Sequence, residues 1–521
     1  MRNLRRTSQI LFLALFVFLF IQTDYKGSNE LGLPVKLFLD FDPLVALSAL
    51  LASHTVRITF LFSLIIVVST IFMGRFFCGW ICPLGTLNNA VGYLRMRSAG
   101  PVLKARSYPS LRSVKYYILV FVLAAAVFGW NAAGLVDPIS LLIRSFAIGV
   151  NPAANKIVRS LFDFNYALGI PFISPFFDAI YTAMIGTVLS FQQPIFRQCF
   201  LIAAIFTGII GLNLAAPRFW CRYLCPLGAL LGIIGCKHQV ARVDVNEEKC
   251  VSCMRCNQEC QGDASPFPPG DWASRECLVC YNCRETCPVD AISIHTTTRR
   301  TGNGDVDLRR RWLLTSGLGA VLSVPLIGSG VHRKIPNPVL IRPPGALEEK
   351  DFVKRCVKCG ECMKVCLTNG LQPALHEAGL EGLWTPILVP RLGYCEYNCN
   401  LCSQVCPTGA IRTIEIEEKK ETHIGLAFFD KNRCIPYALG RNCIVCEEHC
   451  PVPEKAIKFV EEDAVGEDGS RFILKKPVVE PDLCIGCGIC ENKCPVVDMP
   501  AIRVTSINES RSEHNQLFLD L

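Results

Sequence analysis

The sequence predicts an α-helical membrane domain of about four helices, a fifth helix resembling a signal anchor, and three small α+β units built around cysteines. Three observations carry this. Hydrophobic residues make up 51% of the 521 residues and charged residues only 19%, against about 25% in ordinary soluble domains. Twenty-four of the 30 cysteines fall into six compact groups of four. Lysine and arginine gather at one end of the apolar runs.

The apolar runs come first. They cover about 10–21 (within a run from Thr7), 44–73, 116–136 and 200–216. About 20 mostly apolar residues are needed to span a bilayer. No small-residue cleavage site follows the first run, so it reads as a retained helix. Positive charge marks the cytoplasmic side. Arg2, Arg5 and Arg6 precede the first run. Arg75, Arg95, Arg97, Lys104, Arg106, Arg112 and Lys115 lie between the second and third. Arg218, Arg222, Lys237 and Arg242 follow the fourth. The loops 22–43 and 137–199 then face outward, with Pro171–Phe177 and Ala179–Leu189 read as re-entrant or interfacial pieces. A fifth apolar stretch, Trp312–Ile327, follows Arg309, Arg310 and Arg311 and looks like a twin-arginine export signal in mid-chain. Residues 1–331 hold 30 Lys+Arg against 18 Asp+Glu, and residues 332–521 hold 23 against 27. That drop fits residues 332–521 lying outside the cytoplasm, with 246–300 inside. The basic first half edges apolar segments and does not read as a nucleic-acid surface.

Two stretches repeat one another. Arg75-Phe76-Phe77-Cys78-Gly79-Trp80-Ile81-Cys82-Pro83-Leu84-Gly85 parallels Arg218-Phe219-Trp220-Cys221-Arg222-Tyr223-Leu224-Cys225-Pro226-Leu227-Gly228. Asp42-Pro43 and Asp137-Pro138 extend the duplication more weakly. Cysteines four apart on a helix share a face, so facing repeats bring Cys78, Cys82, Cys221 and Cys225 together about a pseudo-twofold axis. Four thiols suit a metal ion or an iron–sulfur centre. Packing and a thiol redox pair are the other readings. Cys199 and Cys236 read as ordinary buried cysteines. His54 and Arg57, expected on one helical face of the second run, line a quinol pocket or contact lipid headgroups.

The six groups of four pair into three units. The first holds Cys250, Cys253, Cys256, Cys260 and Cys277, Cys280, Cys283, Cys287, spaced C-x2-C-x2-C-x3-C twice. In two-cluster folds the fourth cysteine of each run serves the other [4Fe-4S] cluster. Cys250, Cys253, Cys256 and Cys287 then form one set, and Cys277, Cys280, Cys283 and Cys260 the other. Gln261 stands where a proline usually follows. The second unit gives Cys356, Cys359, Cys362 with Cys406, and Cys395, Cys399, Cys402 with Cys366. The third gives Cys434, Cys443, Cys446 with Cys494, and Cys484, Cys487, Cys490 with Cys450. The gaps Cys395–Cys399 and Cys434–Cys443 are longer than standard. Ala291–Ile294 and Ala410–Ile414 read as short strands. One such run alone could bind zinc, whereas six in three pairs point to clusters. No nucleophile–base set or phosphate loop emerges. The boundaries are 1–245 (membrane domain), 246–300 (first unit), 301–331 (arginine-led anchor), 332–420 (second unit) and 421–521 (third unit).

On these motifs, residues 1–300 resemble NapH, the membrane ferredoxin of periplasmic nitrate reductase systems. Residues 309–500 resemble NapG, the exported four-cluster ferredoxin. The resemblance implies a fused polyferredoxin of the bacterial inner membrane with six [4Fe-4S] clusters. Electrons would pass from menaquinol, or a membrane partner, to a periplasmic reductase or multihaem cytochrome. Such a chain is an electron-transfer subunit of an oxidoreductase complex more than a self-contained enzyme. Related membrane ferredoxins serve other respiratory systems and copper-oxidase assembly. Two alternatives stay open. One is a maturation factor reducing a metal or thiol in a partner through Cys78, Cys82, Cys221 and Cys225. The other is an array docking a cytoplasmic dehydrogenase.

Overall fold

A computed structural model describes residues 1–55, 57–98, 108–168, 174–185, 187–235, 241–269, 272–296, 310–327, 337–465 and 469–517. Cys236, Lys237, Lys104, Arg106 and Arg309 lie outside them. The chain forms two compact units. One comprises 1–21, 35–146 and 200–326, the other 22–34, 147–199 and 327–521.

The first unit is mostly helical. Two described helices are long and apolar enough to cross a membrane, Arg2–Gln22 and Pro109–Val127. The second expected span is not one helix. It breaks into Pro43–Ser53, a 3-10 turn Ile58–Phe62 and Ser63–Met73. The cause is local. His54 takes φ 52° and its N–H closes the preceding helix on Leu50 O at 2.8 Å, so His54 and Arg57 do not share a helical face. The fourth run yields Cys199–Gly211 and a short turn to Leu214. The arginine-led stretch forms the helix Arg310–Ile327. Leu64, Ile65, Val68 and Phe72 on one helix, and Trp312, Leu314, Leu318 and Leu322 on another, are exposed. Such apolar faces are costly in water and suited to lipid.

Behind Pro226–Gly235 sits the first cysteine unit. Its two strands, Ala241–Val245 and Ile292–Thr296, pair antiparallel with Val243 opposite Ile294. Val243, Ile292, Ala264 and Trp272 pack with Cys260 and Cys283 into one small core.

The other unit holds the remaining cysteine groups as one body. Strands Leu426–Phe429 and Ile502–Thr505 pair across it, and a long hairpin joins Ile457–Val465 to Arg471–Val479. The expected strand at 410–414 is reduced to a single bridge, Ala346 to Ile411, because Asn400 Nδ2 and the Ser403 hydroxyl bind Ile414 O and N locally. Residues from both early loops join this unit. Lys364 Nζ donates to Thr23 O at 2.6 Å and Asp24 Oδ2 at 3.3 Å. Gln372 Oε1 accepts from Arg197 N at 3.0 Å, and Trp384 Nε1 donates to Gln198 Oε1 at 2.8 Å. The helix Asn151–Leu168, which hydropathy alone did not mark, also belongs here, as does Ser174–Met184, which runs across parts of both expected interfacial stretches.

Glu349 ties the unit's edges. Arg342 Nη2 and Arg511 Nη1 donate to its carboxylate at 2.5 and 3.0 Å. Burial opposes its charge, but the two guanidiniums prevail and bring its pKa down to about 2. A depressed carboxylate pKa stabilises the fold above its unfolded value and loses that effect as pH falls towards the folded value. Glu349→Gln is expected to destabilise this unit by about 3 kcal/mol at neutral pH. Denaturant midpoints of parent and variant should converge as pH falls from 4.5 towards 2.

Candidate iron–sulfur centres

Each expected cysteine set is brought together in space. Cys250, Cys253, Cys256 and Cys287 line one cavity with Val245, Phe267 and Ile292. Cys260, Cys277, Cys280 and Cys283 line a second with Trp272 and Leu278. In the other unit, Cys356, Cys359, Cys362 and Cys406 surround a third, and Cys366, Cys395, Cys399 and Cys402 a fourth. Cys450, Cys484, Cys487 and Cys490 line another. These five cavities are of closely similar size. Their similar size and apolar lining fit one kind of guest. Cys434 is within electrostatic reach of Cys443 and Cys494, and Cys446 of Cys434 and Cys443, which makes a sixth group.

Short helical turns and left-handed residues build the cages. Met254, Tyr281, Gly360 and Gly488 all take positive φ and lead into one-turn helices that carry the third cysteine of a run. Gly488 needs to be glycine for a second reason, since a Cβ there would stand 2.8 Å from Pro390 Cβ. Backbone N–H groups point at sulfur, as with Ala264 on Cys260 Sγ at 3.2 Å and Ala291 on Cys287 Sγ at 3.3 Å. Such bonds stabilise thiolate and tune cluster potential. Burial otherwise pushes the thiols up, Cys260 to about 11 and Cys277 and Cys487 to about 12. Anionic thiolates in these cages therefore call for a positive core, which iron supplies. All described cysteines are free thiols. Among the described residues no three Cys, His, Asp or Glu side chains close on a single metal-ion position. Quartets lining a shared cavity suit a multi-iron core, whose corners lie further apart than the ligands of a single ion.

The groups in the second unit lie in a row that differs from chain order. Cys362 of the third group is within electrostatic reach of Cys402 of the fourth. Cys395 N donates to Cys487 O at 2.8 Å, joining the fourth group to the Cys484 group. Cys490 of that group faces Cys446 of the Cys434 group.

The duplicated motif forms a reciprocal site. Cys82, Cys221 and Cys225 act electrostatically on one another and on Cys78. Arg75 Nη2 donates to Cys221 O at 3.1 Å, while Arg218 Nη1 donates to Cys78 O at 3.0 Å. Each repeat thus clasps the other. The cysteines of a repeat do not sit on one continuous helix. The residue before proline is disfavoured in α conformation, and Cys225 is extended at φ −74°, ψ 110° before Pro226. Cys82 and Cys225 instead stand at the start of the next helix, where Gly85 N and Gly228 N donate to their sulfurs at 3.4 and 3.3 Å. Burial pushes both thiols well above the usual range, with the nearby cysteines adding to it.

The residue after the first cysteine of each repeat touches the first cysteine unit. A Cβ on Gly79 would lie 2.5 Å from Leu278 O, so the backbones meet only because this residue is glycine. Arg222, its counterpart, donates to Cys260 O at 2.6 Å and Gln261 O at 3.0 Å. Trp80 Nε1 donates to Val279 O at 3.0 Å. Arg5 binds Gln261 Oε1 at 2.6 Å and Asn282 Oδ1 at 3.0 Å. Glu276, next to Cys277, accepts from Arg75 Nη1 at 2.8 Å, from the Tyr116 hydroxyl at 2.9 Å and from Lys115 Nζ. Sequence reasoning missed this clamp, since a lone glutamate beside a cysteine carries no motif. The exchange of Gly79 for Arg222 between repeats was the readable clue. Gly79→Val is expected to weaken this junction by about 1–3 kcal/mol through overpacking. Thermal bleaching of the iron–sulfur absorbance should occur at a lower temperature, with Gly92→Ala as control, where a Cβ clears Pro217 by 4.0 Å.

Comparisons with known proteins agree with this chemistry. Models of the 4Fe-4S binding domain match residues 57–100 and 199–239, which contain both repeats, and residues 477–497. The chain is 26% identical over 267 residues to the ferredoxin-type protein NapH of Haemophilus influenzae, covering 49% of this chain and 73% of that protein. It is 38% identical over 101 residues to the ferredoxin-type protein NapG of Escherichia coli, covering 19% of this chain and 43% of that one. It is 34% identical over 128 residues to the methylamine utilization ferredoxin-type protein MauM of Methylobacillus flagellatus, covering 24% and 54%. The chain thus spans about half the length of the NapG and MauM relatives. No solved structure matches it. The chain is thus similar to both ferredoxin-type proteins, NapH over its first half and NapG over part of its second, and it carries cysteine cages of the kind that bind iron–sulfur clusters.

Proposed function

We propose that this iron–sulfur protein carries electrons from menaquinol, or from a membrane partner, through six [4Fe-4S] clusters to a periplasmic redox enzyme or cytochrome. The observation that carries the reading is the row of cysteine cages in the second unit, joined through Cys362 and Cys402, Cys395 and Cys487, and Cys490 and Cys446. Neighbouring buried clusters serve to move single electrons. When bound, they supply the one-electron chemistry. The protein's part is to hold thiolates, exclude water and fix the spacing. Cys250, Cys253, Cys256 and Cys287 hold one cluster and Cys260, Cys277, Cys280 and Cys283 the next. The other unit holds four, at the Cys356, Cys395, Cys434 and Cys484 groups with Cys406, Cys366, Cys494 and Cys450 as their crossing ligands. Cys78, Cys82, Cys221 and Cys225 hold a further redox centre, whose link to the first unit runs through Gly79–Leu278 and Arg222–Cys260.

The placement in the inner membrane rests on two supports. The outward-facing loops expected from charge, within 22–34 and 147–199, belong to the same compact unit as residues 327–521. The helix Arg2–Gln22 is long enough, at ~1.5 Å per residue, for the ~30 Å hydrocarbon layer. In this reading residues 246–300 face the cytoplasm and 332–521 the periplasm, as the arginine-rich loops and the fall in positive charge after residue 331 require. The test is protease added to right-side-out vesicles, with iron and acid-labile sulfide counted on the purified chain. Cleavage within 332–521 with about 24 irons or more per chain is expected. Protection of that region, or iron for only one or two clusters, would overturn the reading.

A further inference from the structure

Asp42 and Asp137 are both completely buried. They begin the helices Pro43–Ser53 and Pro138–Arg144, and each is followed by proline. Each carboxylate spends one oxygen on its own helix. Asp42 Oδ1 accepts from Leu44 N at 2.8 Å and Val45 N at 3.3 Å. Asp137 Oδ2 accepts from Ser140 N at 2.8 Å and Ile139 N at 3.0 Å. The remaining oxygens, Asp42 Oδ2 and Asp137 Oδ1, are buried and receive no donor. The two side chains are within hydrogen-bonding reach of each other.

Two carboxylates so placed cannot both stay ionised, because like charges at contact in a dry site repel strongly. A proton between the free oxygens satisfies both at once and leaves one negative charge for two helix ends. Charged groups nearby in sequence have partners of their own. Arg144, at the far end of the second helix, donates to Gly134 O and Leu135 O. Asp40, beside the pair in sequence, interacts with Lys36, Arg57 and Thr59. The Ser140 hydroxyl lies against Asp137.

We propose that Asp42 and Asp137 form a buried proton-binding site, holding one proton between Asp42 Oδ2 and Asp137 Oδ1. Its ligand is the proton itself, so no cavity is needed. Ionisable residues within a membrane domain are expensive and commonly mark proton sites. The pair titrates as a unit, with one macroscopic proton step on either side of the singly protonated state. This assignment is independent of the quinol reading.

The test is infrared spectroscopy of the purified full chain at neutral pH. A protonated-carboxyl C=O band that shifts on transfer to D2O is expected, and it should vanish completely in both Asp42→Asn and Asp137→Asn. Asparagine keeps each helix cap, and its amide donates to the remaining carboxylate in place of the shared proton. The double variant Asp42→Asn/Asp137→Asn, neutral and self-bonded, should also lack the band and retain the parent's helical circular dichroism. A parent without the band, or a band that survives in either single variant, would overturn the proposal.

Discussion

Glu276→Gln is expected to release the Cys277 cage from the helices that hold it. The wild-type carboxylate is 1% exposed and receives Arg75, Lys115 and Tyr116. Burial works against its charge, yet Lys115 and Arg75 outweigh burial and hold it below the usual carboxylate range. The amide leaves two buried cations without an anion. Breaking a buried pair from one side costs about 3–5 kcal/mol. Arg75 also clasps Cys221 O, so the four-thiol site loosens with the cage. The variant should lose close to one cluster, about four irons, and the loss should fall on the Cys260, Cys277, Cys280 and Cys283 group. Iron analysis with Mössbauer spectra of the chain reads this. Full iron with unchanged thermal stability would mean that the clamp is not what holds the cage.

The second large effect is expected at the centre of the row. Cys487→Ala removes one of the four thiols of the Cys484 group, which stands between the Cys395 and Cys434 groups through Cys395–Cys487 and Cys490–Cys446. About four irons should be lost. Electrons fed in from the Cys356 side should then no longer reach the Cys434 cluster on the time scale of the parent. By contrast, Cys434→Ala should cost the same iron and leave the other three clusters of this unit reducible. Freeze-quench EPR distinguishes the two variants. If Cys487→Ala left the Cys434 signal equally fast, the order of the row would be wrong.

Much of the candidate site was legible because cluster ligation is written in short spacings. The crossing of each fourth cysteine follows from that spacing, and Cys287 and Cys406 do line the cavities of the runs they were expected to serve. The sequence of groups along the row was not legible. It depends on Cys395 N reaching Cys487 O, 92 positions on in the numbering, and no local pattern encodes it. The helices were legible as apolar stretches but not as unbroken spans, since His54 in the left-handed region ends one helix within an otherwise continuous run. Hydropathy is blind to that. The duplication foretold the meeting of four thiols, yet not its means. The residues that clasp, Arg75 and Arg218, looked only like topology markers. Buried at 1% exposure each, they bind carbonyls of the opposite repeat.

The most direct measurement is anaerobic EPR of the purified chain in detergent, with iron and sulfide quantified, before and after addition of a menaquinol analogue. Quinol-fed electron transfer requires rapid appearance of several reduced cubane signals in a protein loaded with its clusters. Full loading with no quinol-dependent signal would contradict direct oxidation of quinol by this chain and place its electron source in a partner.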